Sequence, residues 1–376
     1  MFRWIAFWMV ILISSFSYAA VAKDFDTANF ETFTKDIMAA SNIPGLAVVI
    51  FDENGTVYEK AFGIADADKT PVTLDTPFQL GSVSKSFAAL VLVQLASEGR
   101  VDLDAPVINY LPKFRTADKN VWKDITLQHV LSHRSGISTF NGNRMQRDIY
   151  RGTDALDIAI GQLRKTKLVL KPGSQLQYSN ANYMLAAAVV EVVTKQSYET
   201  VVDERIFKPL AMQNSYVQMP LRESVKEASG FRQWFGIPIA HTFIPGRAMM
   251  GAGGVTSSAR DLAIYVRAVA AKDPSIIPSE FADYIITPQG HETEKEGYGL
   301  GWMLIDVDNK KVVYHAGLNA GFTAQAGFIE GDRRGGLVLA NSSGGLQADV
   351  AGVVLRKGLE IPTGPSRPSI GQHMTV

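Results

Sequence analysis

The sequence predicts an α/β chain: one antiparallel β-sheet drawn from both ends, flanked by the terminal helices, with a large all-helical lobe inserted. Three observations carry this. Strand-like runs Leu46 to Phe51 and Val57 to Phe62 flank Glu53-Asn54-Gly55, a strong hairpin signal. From Tyr298 onward strand patterns return as two further hairpins. Between them, from Ser82 to about Gln289, the pattern is mostly helical and broken by long loops. If the first and last strands share a sheet, the N- and C-terminal segments must meet in space.

The elements follow in order. Asp24 to Ala40 places Phe30, Phe33, Ile37 and Met38 on one face of an amphipathic opening helix. Pro71 to Gly81 connects the hairpin to Ser82, where an apolar helix begins and runs until Gly99 stops it. Asp102 to Pro106 opens a helix-and-loop stretch, and Asn141-Gly142-Asn143 reads as polar loop. Helices are expected at Thr153 to Leu163, Tyr183 to Thr194, Tyr198 to Phe207, and Ser257 to Ala271 with Ser258 as its cap. Leu300 to Val307 and Lys311 to His315 flank Asp308-Asn309; Phe322 to Ile329 and Gly336 to Ala340 flank Gly331 to Arg334. Leu346 to Leu359 forms a closing helix, and Pro362 to Val376 is a Pro, Gly and Ser-rich tail. There are no internal repeats.

At 376 residues and 46% hydrophobic content the chain can bury a large core. Its formal net charge is zero and it has no long basic run, so nothing points to nucleic acid. It has no cysteine, which excludes disulfides, thiolate metal sites and a lipidated N-terminal cysteine. Arg3, the apolar run Trp4 to Ile13 and Ala20-Val21-Ala22 read as a signal peptide, residues 1–22, cleaved after Ala22. The competing reading is a retained anchor, but the serines at 14, 15 and 17 leave the apolar run short of the roughly 20 residues a span needs. No later segment is apolar and long enough to cross a bilayer. The expected product is exported, periplasmic or secreted. It has one domain at 23–361, with an α/β lobe at 23–80 and 295–361 and a helical lobe at 81–294, then the tail at 362–376.

The chemistry centres on Gly81-Ser82-Val83-Ser84-Lys85. Ser82 and Lys85 are three residues apart, so on a helix they share a face. A serine hydroxyl needs a base to take its proton, and a buried lysine can be that base because desolvation disfavours the ammonium. Bringing a lysine from about 10.4 to near 7 costs roughly 4–5 kcal/mol, so the pair needs support from elsewhere. Alone the pattern is weak. It is the single Ser-x-x-Lys in the chain, however, and it sits at a helix start, where the macrodipole opposes a charged lysine. Downstream, Tyr178-Ser179-Asn180 follows the turn Lys171-Pro172-Gly173 and precedes a helix, and His315-Ala316-Gly317 ends a strand-like run.

These three segments resemble, in order and context, the motifs of the serine β-lactamase and penicillin-binding protein superfamily: Ser-x-x-Lys, Tyr-x-Asn, and Lys-Thr-Gly or its His-x-Gly variant. Thr126 to Gly136, Ala252 to Leu262 and Gly297 to Trp302 are also similar to segments of its class C-like branch. Tyr178 separates the chain from class A enzymes, and His315 from typical class C β-lactamases. The resemblance implies a β-lactamase/transpeptidase-like fold with its site between the two lobes, and no metal or cofactor. It implies Ser82 as nucleophile, with Lys85 and Tyr178 sharing the base role; which of them holds the proton stays open. The N–H groups of Ser82 and Leu318 would form the oxyanion hole. Asn180 would orient the substrate amide, His315 would meet the substrate as a hydrogen-bond partner, and Gly317 would let a strand backbone approach it. Expected substrates are D-amino-acid-containing peptides or β-lactams; the alternatives are an ester, or a penicillin-binding or peptidoglycan-sensing protein that acylates without turnover.

Some residues read more simply as structure. His129 and His133 have the four-residue spacing zinc sites use, but with no third ligand they are expected to pack. Gly251 to Gly254 follows no strand, so phosphate binding is not expected, and Arg333-Arg334 reads as a solvated hairpin tip.

Overall fold

A computed structural model describes residues 25–146, 152–217, 226–291, 293, 295–343 and 347–361. The proposed leader and tail lie outside the described residues.

Helix α1, Thr27–Ala40, is capped by the Asp26 carboxylate and leads into β1, Gly45–Phe51, and β2, Thr56–Gly63. Phe78–Gln79 (β3) brings the chain to a single 3₁₀ turn, Gly81–Val83, and then to α2, Ser84–Ser97. The helical lobe continues with α3, Leu127–Leu131, α4, Thr139–Gln146, α5, Ala155–Gln162, α6, Asn180–Thr194, and α7, Tyr198–Val202. Next come β4, Ser215–Val217, the hairpin Gly230–Trp234 (β5) and Ile237–His241 (β6), α8, Met250–Gly253, β7, Val255–Ser257, and α9, Ala259–Ala270. Strands β8 to β14 follow at Gly290–His291, Glu296–Tyr298, Met303–Val307, Lys310–Asn319, Phe322–Ile329, Gly335–Ala340 and Ser342–Ser343; α10, Gln347–Gly358, closes the described chain.

The main sheet has the order β2-β1-β13-β12-β11-β10-β9-β8, and every pairing in it is antiparallel. The N- and C-terminal segments of the sheet therefore do meet: Leu46 lies opposite Ala340 and Phe51 opposite Gly335. All seven residues of β1 are buried, because the sheet is covered on both faces. Ala47, Val49 and Phe51 join Leu337 and Leu339 in the core shared with α2 and α9. Leu46, Val48 and Ile50 face the other way, onto Phe30 and Met38 of α1 and Val354 and Leu355 of α10. Side chains alternate across a strand, so a central strand between two apolar layers reads as an unbroken apolar run. Burying each of the larger ones stabilises the fold by about 1.5–3 kcal/mol.

The turn chemistry follows the expectation at Asp308-Asn309, where both residues have positive φ, 49° and 61°. That is the two-residue hairpin turn whose twist matches the strands it joins. Elsewhere the structure departs from the sequence reading. Asn141, Gly142 and Asn143 lie within α4 rather than in a loop. The middle of the chain also carries strands that helical periodicity did not indicate: the β5–β6 hairpin, and the small sheet β3-β7-β4. No helix among the described residues is long and apolar enough to cross a membrane.

Candidate active site

Ser82 sits in the 3₁₀ turn that feeds α2, with the β11 backbone pressed against that turn. Two glycines make the approach possible. Gly81 has φ +51°, and a Cβ there would meet Leu318 N at 2.5 Å. Gly317 has no unusual φ, but a Cβ on it would lie 1.9 Å from Leu80 O and 3.2 Å from Ser82 N. Strand β10 pairs with β11 only as far as Tyr314, so the stretch His315 to Asn319 has β12 on one side and an edge free of β10 on the other. Leu318 and the Ser82 turn thus come together.

Lys85 lies in the first turn of α2 and is fully buried. Its Nζ is 2.8 Å from Ser82 Oγ and donates to Ala252 O at 2.8 Å. Burial alone holds its pKa well below the usual lysine range. Nζ also lies 5.0 Å from the centre of the Tyr178 ring. Tyr178 is 3% exposed, and its hydroxyl has no hydrogen-bond partner among the described residues. Burial pushes the phenol well above its ordinary range. The two shifts run in opposite directions, and each favours the uncharged form of its group: the amine with a free lone pair, the phenol with its proton.

Asn180 is the first residue of α6 and is almost wholly buried. Its amide nitrogen donates to Asn143 Oδ1 at 3.0 Å, while its own Oδ1 is buried without a partner among the described residues. Helix α4 packs directly on the Tyr178 segment: Thr139 Oγ1 donates to Tyr178 O, and a Cβ on Gly142 would come within 2.7 Å of Asn180 N. This is why a glycine interrupts α4.

His315 differs most from expectation. It was expected to meet the substrate as a hydrogen-bond partner; its side chain is fully buried, as is that of Lys85, and both ring nitrogens have partners within the protein. Nδ1 lies 2.7 Å from Ala316 O, and a carbonyl can only accept, so Nδ1 carries the proton. Nε2 is then the acceptor for the Tyr298 hydroxyl at 3.0 Å. Burial first, and the neighbouring Lys85 second, lower its pKa to about 3, so the ring is neutral at physiological pH.

Several residues here were not picked out from the sequence as site residues. The Ala252 carbonyl has no side-chain signature at all. Tyr298 lies in Gly297 to Trp302, a stretch flagged for its similarity but given no role. Asn319, 6% exposed, ties the end of β11 to Gln79 Oε1 and to Gly253 O at 3.0 and 3.1 Å. His129 exchanges capping contacts with Thr126 at the start of α3. Among the described residues no cluster of three or more His, Asp or Glu side chains could hold a metal.

A family model described as Beta-lactamase matches residues 30–357. Penicillin-binding protein 4 of Amycolatopsis lactamdurans is 31% identical over 192 residues, 51% of this chain and 49% of that protein, so this match spans about half of the relative. Esterase EstB of Burkholderia gladioli is 30% identical over 298 residues, 70% of this chain and 76% of that protein. In three dimensions the chain is similar to the octameric penicillin-binding protein homologue from Pyrococcus abyssi. The TM-score is 0.79 at 27% identity, covering 89% of this chain and 78% of that one.

Proposed function

Because the chain belongs to the β-lactamase family, we propose that it is a serine hydrolase working through an acyl-enzyme on Ser82. The observation that carries this is the buried Lys85 amine, 2.8 Å from Ser82 Oγ, with burial as the single cause of its lowered pKa. An amine kept neutral in this way can take the Ser82 proton as Oγ attacks a carbonyl carbon. The oxyanion would lie between the N–H groups of Ser82 and Leu318, donors of a kind each worth about 3–4 kcal/mol. Tyr178, protonated and unpartnered, is suited to hand its proton to the leaving group, while Lys85 returns the serine proton through it. Water then releases the acyl group by the same path reversed.

The substrate class we favour is an amide: a D-amino-acid-containing peptide, including peptidoglycan fragments, or a β-lactam. Asn180 supports it, since its carbonyl oxygen is buried without a partner among the described residues and so is free to accept from a substrate N–H. A second reading, a neutral ester, has its own support. Burial and the bond to Tyr298 leave His315 no proton to offer a substrate carboxylate. We place the mature enzyme outside the cytoplasm after loss of residues 1–22, which N-terminal sequencing of the exported protein would check.

The test is mass spectrometry of the purified protein with a fluorophosphonate and with a penicillin, followed by rates on a D-alanyl peptide and an aryl ester. A stable phosphonyl adduct on Ser82 and a transient penicilloyl adduct with turnover are expected. A penicilloyl adduct that persists would mean a penicillin-binding protein without efficient deacylation. Absence of any adduct on Ser82 would sink the proposal.

A further inference from the structure

His133 was expected to be packing, and its surroundings say more. It follows α3, is fully buried, and adopts φ +57°, a left-handed conformation uncommon outside glycine. That backbone turns both its carbonyl and its ring toward the same segment. His133 O accepts from Gln177 N at 2.7 Å. His133 Nδ1 accepts from Ser179 N at 3.1 Å. Between those two peptides stands Tyr178, whose ring packs on the imidazole with centroids 4.1 Å apart.

The tautomer follows from the same contacts. Asn182 Oδ1 accepts from Ser135 Oγ at 2.6 Å, which turns its Nδ2 toward His133 Nδ1, 3.0 Å away. Two donors, a peptide N–H and an amide NH₂, therefore converge on Nδ1, and the proton of a neutral ring must sit on Nε2. Lys85, His315, Tyr178, Tyr183 and Tyr298 are the titratable groups around the ring. Burial first, then Lys85 and His315, hold its pKa well below the usual histidine range. A protonated ring would set a third donor against two.

We infer that His133 is a positioning residue for Tyr178: it clamps the peptides on both sides of the tyrosine and stacks on its ring, and it does so in the Nε2–H tautomer. The inference rests on Tyr178 acting as proposed above. Loss of the clamp lets the phenol shift without removing it, and a misplacement of about 1 Å can cost roughly a hundredfold in rate.

The test is a double-mutant cycle read by the rate of Ser82 phosphonylation. His133→Phe keeps a ring but removes the acceptor; His133→Asn keeps an acceptor oxygen near the Nδ1 position and tolerates positive φ. We expect His133→Phe to slow the reaction about a hundredfold. His133→Asn should return it to within about tenfold of wild type, because the acceptor is restored. In a Tyr178→Phe background, itself slower by about two to four orders of magnitude, His133→Phe should add less than about threefold, since both changes act through one hydroxyl. Equal factors in both backgrounds would overturn the clamp while leaving Ser82 as nucleophile. A wild type that is never phosphonylated would instead overturn the Ser82 reading on which the clamp depends. Should the variants fail to fold, histidine ¹⁵N spectra of the wild type decide: Nδ1 bare and Nε2 protonated is expected for His133, and an Nδ1–H ring refutes it.

Discussion

Gly317→Ala is the sharpest single perturbation of this site. The added Cβ would lie 1.9 Å from Leu80 O, about 1.5 Å short of the 3.4 Å at which ordinary contact begins. The obstructing atom is main chain in the turn that carries Ser82, so no side chain can swing aside. Strand β11 must retreat by on the order of 1 Å, carrying Leu318 N with it. Losing one oxyanion donor costs about 10² to 10³ in rate, or roughly 2.7–4 kcal/mol. Overpacking should also lower stability by about 1–3 kcal/mol. The assay is the second-order rate of phosphonylation of Ser82 by a fluorophosphonate, paired with guanidinium denaturation. Gly161→Ala is the control. Gly161 is exposed in α5, and a Cβ there meets nothing within 4 Å. It should stabilise the protein by about 0.5–1 kcal/mol and leave the rate unchanged. If Gly317→Ala reacted within fivefold of wild type while losing the expected stability, β11 would not supply half of the anion site.

Further expectations concern charge. Lys85→Met should abolish phosphonylation yet raise stability at pH 7 by about 1–2 kcal/mol, because the folded state no longer keeps a buried amine from its proton. Since the folded lysine pKa is lowered, that advantage should shrink as pH rises toward the ordinary lysine value; thermal melts at pH 7 and 10 check both points. His315, neutral when folded down to about pH 3, makes the protein acid-sensitive. Below pH 6.5 the unfolded chain binds a proton that the folded chain refuses, so this contribution is complete above 6.5 and declines as pH falls toward 3. Denaturant titrations should lose about 1.4 kcal/mol per pH unit from His315, with His133 adding in the same direction; a flat profile between pH 6.5 and 5 would contradict both burials.

Legibility in the sequence tracked the range of the signal. The β1–β2 and β10–β11 hairpins were readable because Asn54-Gly55 and Asp308-Asn309 announce their turns locally. The β5–β6 hairpin was not, because its turn places Phe235 at φ +48°, a residue type no turn rule would choose. Helix α4 has loop composition, yet it forms against the Tyr178 segment, where Gly142 permits the contact. The pairing of Ser82 with Lys85 was readable because three-residue spacing on a helix is visible in one dimension, whereas Tyr178 was singled out only by the resemblance of its segment. The direction in which His315 points, and what His133 holds, depend on partners such as Tyr298 and Ser179 that only the fold brings near.

The interleaving of β1 with β13 also orders events during synthesis. Ser82 and Lys85 are made early, but the strand bearing Gly317 and Leu318 is made late, and β13 and α10 later still. Until then β1 has β2 on one side and a bare, wholly apolar edge on the other, the kind of edge that pairs with strangers. On the reading proposed above, such a chain holds a serine and its amine but only half of the cradle for a developing negative charge, so the last-made strands would arm the first-made nucleophile. A chain broken off before residue 319 should be inert toward substrates and prone to aggregate, whatever the state of its helical lobe.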